Sequence, residues 1–261
     1  MRYGVLADIH GNLPALDAVL NAVDAHRPDA ILCVGDLVGY GAFPSECVDR
    51  IASLAGGCVA GDHDLVAIGR QPEHLLDDLG AETSGWTKAA LTDRARDYLS
   101  TLPLHLELVP VVLAHASLRD PWRRVGPAAA EDELLGLSAR RPDASILVLG
   151  HTHTPLAYCE GVGSIPREDP VKLVPGRKYV LNPGAVGQSH ESSPVARCLV
   201  LDLTDGSAIF LAVPYDAERY VAELRSSGLP PDAHHRPVQP RPDPVGDALG
   251  RARLEAGAPR H

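Results

Sequence analysis

Short apolar runs alternate along this chain with stretches whose apolar residues recur every three or four positions, a pattern that favours an α/β fold. Tyr3 to Ala7 reads as a first strand. Behind it Leu16, Val19, Leu20 and Val23 keep helical spacing, with Pro14 near the start, where proline is tolerated. Ala30 to Val34 and Cys58 to Ala60 are further strands. Leu104 to Val109 alternates apolar and polar residues, Pro110 breaks the run, and Val111 to Ala114 and Ile146 to Leu149 are wholly apolar. Leu199 to Leu203 and Ala208 to Val213 flank TDGS, whose Asp-Gly pair suits a tight hairpin. Residues 65 to 103 interrupt the series with helical patterns. Glu73 to Leu79 predicts a short helix, and Ser84 is placed to cap a longer one through Leu99 that carries Trp86, Leu91 and Tyr98. This segment predicts a helical cap inserted in the domain. From Ser226 the chain turns proline-rich and poor in apolar residues, which predicts a mobile tail over 225 to 261 with a short helix near Asp247 to Glu255. The pair His234 and His235 belongs to that solvated tail.

Several of these strands finish in the same chemistry. The first run ends in Asp8-Ile9-His10, the second in Gly35-Asp36, the third in Gly61-Asp62-His63-Asp64. The run at 111 ends in His115 and the run at 146 in Gly150-His151-Thr152-His153. A lone Gly-Asp is usually a turn, and a lone His after a strand is usually a satisfied core residue. Five strand ends of this kind are hard to explain as independent turns, because open α/β sheets bind ligands beyond the carboxyl ends of their strands. The set predicts a metal site. Carboxylates mixed with imidazoles suit Mn, Fe, Zn or Ni better than Ca or Mg alone. Asp8, His10, Asp36, Asp62, His115, His151 and His153 are too many ligands for one ion and enough for two that share a carboxylate. Two such ions can clamp a phosphoryl group and activate a water.

Composition narrows the choice of partner. The 261 residues are 45% hydrophobic and 22% charged, ordinary for a soluble domain with a sizeable core. A formal charge of -10 argues against general affinity for nucleic acid or anionic membrane. Five scattered cysteines without a CxxC predict reduced thiols and a cytoplasmic location. The N-terminus MRYGVLADIHG lacks the regions of a signal peptide, and no apolar run approaches the roughly 18 residues of a membrane span.

As a series, DIHGN at 8 to 12, GDLVGYG at 35 to 41, GDHD at 61 to 64, LAHAS at 113 to 117 and GHTHTP at 150 to 155 resemble the motifs of the calcineurin-like metallophosphoesterases. LNPGAVGQ at 181 to 188 resembles a loop of the bacterial YfcE-like and diadenosine-tetraphosphatase-like branch. The resemblance covers residues 1 to about 224 and leaves the tail outside. It implies two packed mixed β-sheets flanked by helices, with a dinuclear centre at the sheet edge. By position Asp8, His10 and His153 would hold one ion, Asp36 would bridge, and Asp62, His115 and His151 would complete the other. His63 would donate a hydrogen bond or proton toward the phosphate or leaving oxygen, and Asp64 would orient its ring. The implied cofactors are two divalent ions, Mn first, with Fe, Zn, Ni or Mg as alternatives. The implied activity is hydrolysis of small phosphate esters by a hydroxide activated at the metals, phosphodiesters ahead of monoesters and dinucleoside polyphosphates. A non-catalytic scaffold of the same fold is the rival reading. Arg119, with Arg123 and Arg124, and Tyr40 are candidate substrate contacts, Tyr40 for a nucleotide-derived base. Asn12, Asn182 and Gly184 are read as loop-shaping residues. Oligomeric state is left open.

One position departs from the family pattern, which usually has asparagine where this chain has Asp62. Two divalent ions, the carboxylates of Asp8, Asp36 and Asp62, and one hydroxide sum to zero charge, whereas asparagine would leave the set one unit positive. Asp62 therefore predicts tighter metal binding and weaker attraction for anionic substrate.

Overall fold

The computed structural model describes residues 1–54 and 56–237. In chain order the first strands are β1 (Arg2–Leu6), β2 (Ala30–Cys33), β3 (Gly56–Cys58), β4 (His105–Leu108), β5 (Val111–Ala114) and β6 (Ile146–Val148). They are followed by β7 (Leu156–Cys159), β8 (Gly163–Ser164), β9 (Val171–Lys172), β10 (Tyr179–Asn182), β11 (Ala196–Asp202) and β12 (Ser207–Val213). Two six-stranded sheets result, ordered β3-β2-β1-β11-β12-β9 and β4-β5-β6-β10-β7-β8. Both are mixed. β1, β2 and β3 run parallel, β11 and β12 antiparallel to their neighbours, and β5, β6 and β10 form the parallel centre of the second sheet. The fold is the α/β sandwich expected, with helices on its two outer faces.

Alternation along the strands sorts the core into layers. Val5, Leu32, Val59, Val111, Leu113, Ile146, Val148 and Leu199 meet between the sheets. Their neighbours Leu6 and Cys33 face helices α1 (Leu13–Asp24) and α2 (Pro44–Ala52), with Leu16, Val19 and Val23 of α1 buried there. On the far side Val112, Ala114 and Leu147 pack against Leu134 and Leu137 of α6 (Pro127–Arg140). Asn12 caps α1, accepting from Ala15 N at 3.1 Å, and its amide donates to Gly187 O at 2.9 Å. It ties two loops of one sheet edge together, the loop-supporting role expected of it.

Between residues 62 and 103 the chain forms α3 (Asp62–Ala67), a 3-10 turn (Glu73–Leu75), α4 (Asp78–Ala90) and α5 (Asp93–Thr101). Asp77 caps α4 by accepting from Gly80 N at 2.7 Å, and Thr92 caps α5 by accepting from Ala95 N at 3.2 Å. Ser84 therefore lies inside a helix rather than at the start of one, and the helix expected through Leu99 is broken at Leu91 and Thr92. Ala95 and Leu99 are fully buried in the helix-side core, so α5 belongs to the packed body and the roof over the sheet edge is the stretch before α4. Packed structure also continues past residue 224. Helix α7 (Ala217–Ser226) is followed by Leu229 and Ala233, which are buried with Tyr40, Leu79 and Tyr220. The helix expected near Asp247 to Glu255 lies outside the described residues. No helix among the described residues is long and apolar enough to cross a membrane.

Candidate metal centre

Six residues at the carboxyl edge of the sheets adopt left-handed backbone without being glycine: Asp8, His10, Asp36, Tyr40, His151 and His153, with φ between 49° and 63°. Each such residue costs on the order of 1–3 kcal/mol and persists only where its surroundings hold it. Well-formed backbone hydrogen bonds hold these loops. Asp8 N donates to Gly35 O at 3.0 Å, His10 N to Asp36 O at 2.9 Å, and Gly150 N to His115 O at 2.8 Å. Glycine lets the loops close on one another. A Cβ on Gly61 would sit 2.1 Å from Asp36 Oδ1, and one on Gly35, itself at φ 86°, would sit 2.9 Å from His115 Nδ1.

The side chains then converge in overlapping groups. Ligand atoms of Asp8, His10 and His153 lie within 4.8 Å of one another, as do those of Asp36, Asp62, His115 and His151, and those of His10, Asp36 and His63. His115 Nε2 is 3.0 Å from Asp62 Oδ1 and 3.2 Å from Asp36 Oδ2, and His151 Nδ1 is 2.9 Å from Asp62 Oδ1. Asp36 Oδ2 is also 3.6 Å from His10 Nε2, so this carboxylate reaches both main groups. Backbone carbonyls set the ring orientations. Nδ1 of His10 faces Val38 O at 3.1 Å, that of His115 faces Val34 O at 2.6 Å, and that of His153 faces Gln188 O at 3.1 Å. A carbonyl only accepts, so each Nδ1 carries a proton and each Nε2 faces the centre, where it offers a lone pair whenever the ring is neutral.

These residues fit a divalent metal. Nε2 of His10 and Nε2 of His153 approach to 3.0 Å, two lone pairs facing each other with no proton to share. Asp8 Oδ2, Asp62 Oδ1 and His115 Nε2 are buried and lack an aligned hydrogen-bond partner. Such orphaned atoms are costly unless a cation meets them. Titration carries the same signature. Burial pushes Asp8 up to about 7 and pulls His10 down to about 3. Burial alone would depress His115, but Asp36, Asp62 and Asp8 together raise it well above the usual imidazole value. Burial opposes ionisation of Asp62, and the rings of His115 and His151 outweigh it, holding the carboxyl well below its usual range.

Beside the ligands lies a cavity of about 310 Å³ lined by Asp36, Tyr40, Asp62, His63, His151, His153, Leu75 to Asp77, Trp122, Arg124, Gln188 and His190. The His63 ring packs against Tyr40 with centroids 4.4 Å apart, while its backbone N donates to Asp36 Oδ1 at 3.0 Å. Asp64 does something other than expected. Its oxygens accept from Leu37 N at 2.9 Å, Val38 N at 3.2 Å and Gly61 N at 3.0 Å, so it pins the loop after β2 to the start of α3 instead of orienting the His63 ring. Arg119 is also displaced from its expected role. Its guanidinium lies over Gly136 of α6, and Arg124 is the arginine that lines the cavity. Tyr40 lines the cavity, with its hydroxyl donating to Asp77 Oδ1 at 3.1 Å. Asn182 donates to Gly150 O at 2.7 Å and accepts from Gly184 N at 2.9 Å, shaping the turn expected of it.

Sequence reading missed Glu133, Asp77 and His190. Glu133 is buried on α6 and accepts from Ser117 Oγ at 2.7 Å and Leu118 N at 3.0 Å, fixing the loop behind His115. Only Glu133 offered a signal, as a carboxylate on the apolar face of a helix.

Comparison with known proteins agrees with this geometry. The family model described as the calcineurin-like phosphoesterase superfamily domain matches residues 1–206. An uncharacterised protein of Methanocaldococcus jannaschii, MJ0912, is 31% identical over 232 residues, spanning 87% of this chain and 93% of its own. The crystal structure of a metallophosphoesterase from Sphaerobacter thermophilus aligns with a TM-score of 0.76 at 32% identity, covering 89% of this chain and 97% of that one. A hypothetical protein of Pyrococcus horikoshii, PH1004, shares the fold with a TM-score of 0.73 at 19% identity, over 89% of this chain and 95% of its own.

Proposed function

This chain belongs to the calcineurin-like phosphoesterase superfamily, and from that premise we propose that it is a metal-dependent hydrolase of small phosphate esters, phosphodiesters first. The observation that carries the reading is the convergence of seven Asp and His side chains into two neighbouring groups, with Asp36 of one lying 3.6 Å from His10 of the other and His63 lining the adjoining cavity. Two divalent ions, Mn foremost for a mixed carboxylate and imidazole set, would supply charge for the phosphoryl oxygens and lower the pKa of the attacking water. Asp8, His10 and His153 would hold one ion and Asp62, His115 and His151 the other, with Asp36 within reach of both.

The other residues serve binding and proton transfer. His63 stands at the cavity wall with its ring packed against Tyr40, and there it would give a proton to the leaving oxygen. Asp64 keeps the loop of Asp36 in register. Arg124 offers a guanidinium at the mouth, where among the described residues it makes a single 3.5 Å contact, to Thr152 O. Asp62 supports the preference for diesters. Its extra negative charge lowers the attraction of the centre for a dianionic monoester more than for a monoanionic diester. The five free cysteines, four of them buried, suit a reducing cytoplasm.

Metal-depleted protein reloaded with Mn should hydrolyse bis-p-nitrophenyl phosphate faster than p-nitrophenyl phosphate. Faster monoester turnover would reverse the preference, and metal binding without turnover of either ester would favour the scaffold reading.

A further inference from the structure

The segment after α7 is held against the site. Leu229 to Arg236 runs beside the loop that follows β10, and the two exchange backbone and side-chain bonds. Gln188 Nε2 donates to Ala233 O at 2.9 Å, Ser189 N to His234 O at 3.0 Å, and Arg236 N to Ser189 O at 2.9 Å. His235 Nε2 lies 2.9 Å from Glu191 O, which can only accept. The same loop carries the Gln188 carbonyl that orients His153 and the His190 ring that lines the cavity. These bonds fix where Arg236 stands, and its guanidinium donates to Asp77 Oδ2 at 3.2 Å.

Asp77 is a poor neighbour for an anionic substrate. It lines the cavity, and its other oxygen, Oδ1, is committed to Tyr40 Oη and Gly80 N. The carboxylate therefore cannot turn away without breaking the cap of α4 and releasing Tyr40. A cation beside Oδ2 offsets its charge where it is. We propose that Arg236 is a specificity-determining residue, brought to the mouth of the cavity by the C-terminal segment to neutralise Asp77 and so admit anionic esters. The inference rests on the phosphoester reading of the site. Arg236 acts through Asp77, so it is a positioning residue for charge and not a catalytic one.

The test is Arg236→Ala, measured beside Arg236→Lys and the double variant Arg236→Ala with Asp77→Asn, all loaded with Mn. Both partners are half-exposed, 43% for Arg236 and 49% for Asp77, so solvent limits the effect. In Arg236→Ala, KM should rise about threefold to fivefold, the scale of a partly exposed ion pair, with kcat and Mn content unchanged. The rise should be larger for dianionic p-nitrophenyl phosphate than for monoanionic bis-p-nitrophenyl phosphate, and should shrink at high salt. Lysine should keep KM near its original value. Asp77→Asn retains the Oδ1 acceptor while removing the charge, so the double variant should recover KM. Calorimetric binding of inorganic phosphate to the same proteins should follow the same order without any turnover. A protein that binds phosphate in this order but cleaves no ester would sink the esterase reading and leave the role of Arg236 standing. Equal shifts for both ester charges, or no recovery in the double variant, would overturn it. Loss of Mn or of a cooperative melt in Arg236→Ala would assign the residue a structural role and overturn it as well.

Discussion

Asp62 is only 5% exposed, and its Oδ1 lies within 3.0 Å of nitrogens of both His115 and His151. A carboxylate so placed faces the proposed metal position. Asp62→Asn should therefore weaken Mn binding, and a loss of about 1.4 kcal/mol is a tenfold rise in Kd by calorimetry. The same change should tighten phosphate binding, and turnover at saturating Mn should hold or rise. Abolished turnover at saturating metal would mean that the carboxylate itself is needed for chemistry. His63→Ala should lower kcat by about 10²- to 10⁴-fold, the usual worth of a positioned acid, with two ions still bound. Unchanged kcat would remove His63 from the reaction. The candidate ligands are legible in the sequence because each stands just beyond a strand whose apolar run is unmistakable. The roles of Arg119 and Asp64 are not. Which of three arginines faces the cavity depends on the turn from Ser117 to Asp120, where Ser117 N donates to Asp120 O. The partners of Asp64 are backbone groups of another loop, Leu37 and Val38, and backbone partners leave no trace in side-chain identity.

Among the elements, the long apolar strands and α1 are legible, while β7 to β10 are not. β8 and β9 are two residues each, and YVLN of β10 is a four-residue run buried throughout, too short for periodicity to show. The segment from 65 to 103 reads as helical, but its division does not show. Ser84 resembles a cap because local chemistry cannot tell a capping serine from one that bonds back within its helix. In the structure Ser84 Oγ donates to Ala81 O at 3.0 Å. The consequence is energetic. Leu99 on α5 is fully buried, so Leu99→Ala should cost about 2–5 kcal/mol in denaturant unfolding. A cost below about 1 kcal/mol, typical of surface substitutions, would return α5 to the cap. The roof is the shorter stretch of Leu75, Leu76 and Asp77, the part of the segment that lines the cavity.

The whole molecule gathers the strand ends of two sheets at one edge and closes that edge with the roof, the loop after β10 and the segment through Arg236. Two of the buried candidate ligands at that edge, His115 and Asp8, favour their protonated forms in the absence of metal. His115 is held protonated by Asp36 and Asp62, and burial raises Asp8 to about 7. Ligation requires both in their deprotonated forms, so metal binding expels protons, and falling pH favours the competing protonated site. Mn affinity should therefore weaken as pH falls through 7, with proton uptake by the buffer on binding. Affinity independent of pH between about 6 and 8 would mean that these groups are not ligands. The proposed centre is two ions sharing Asp36, and titrating metal-free protein with Mn in a calorimeter, wild type beside Asp36→Ala, counts them. Two ions per chain in the wild type, with both tight sites lost in the variant, is the expected result. One ion in the wild type, or two tight sites surviving without Asp36, would contradict it.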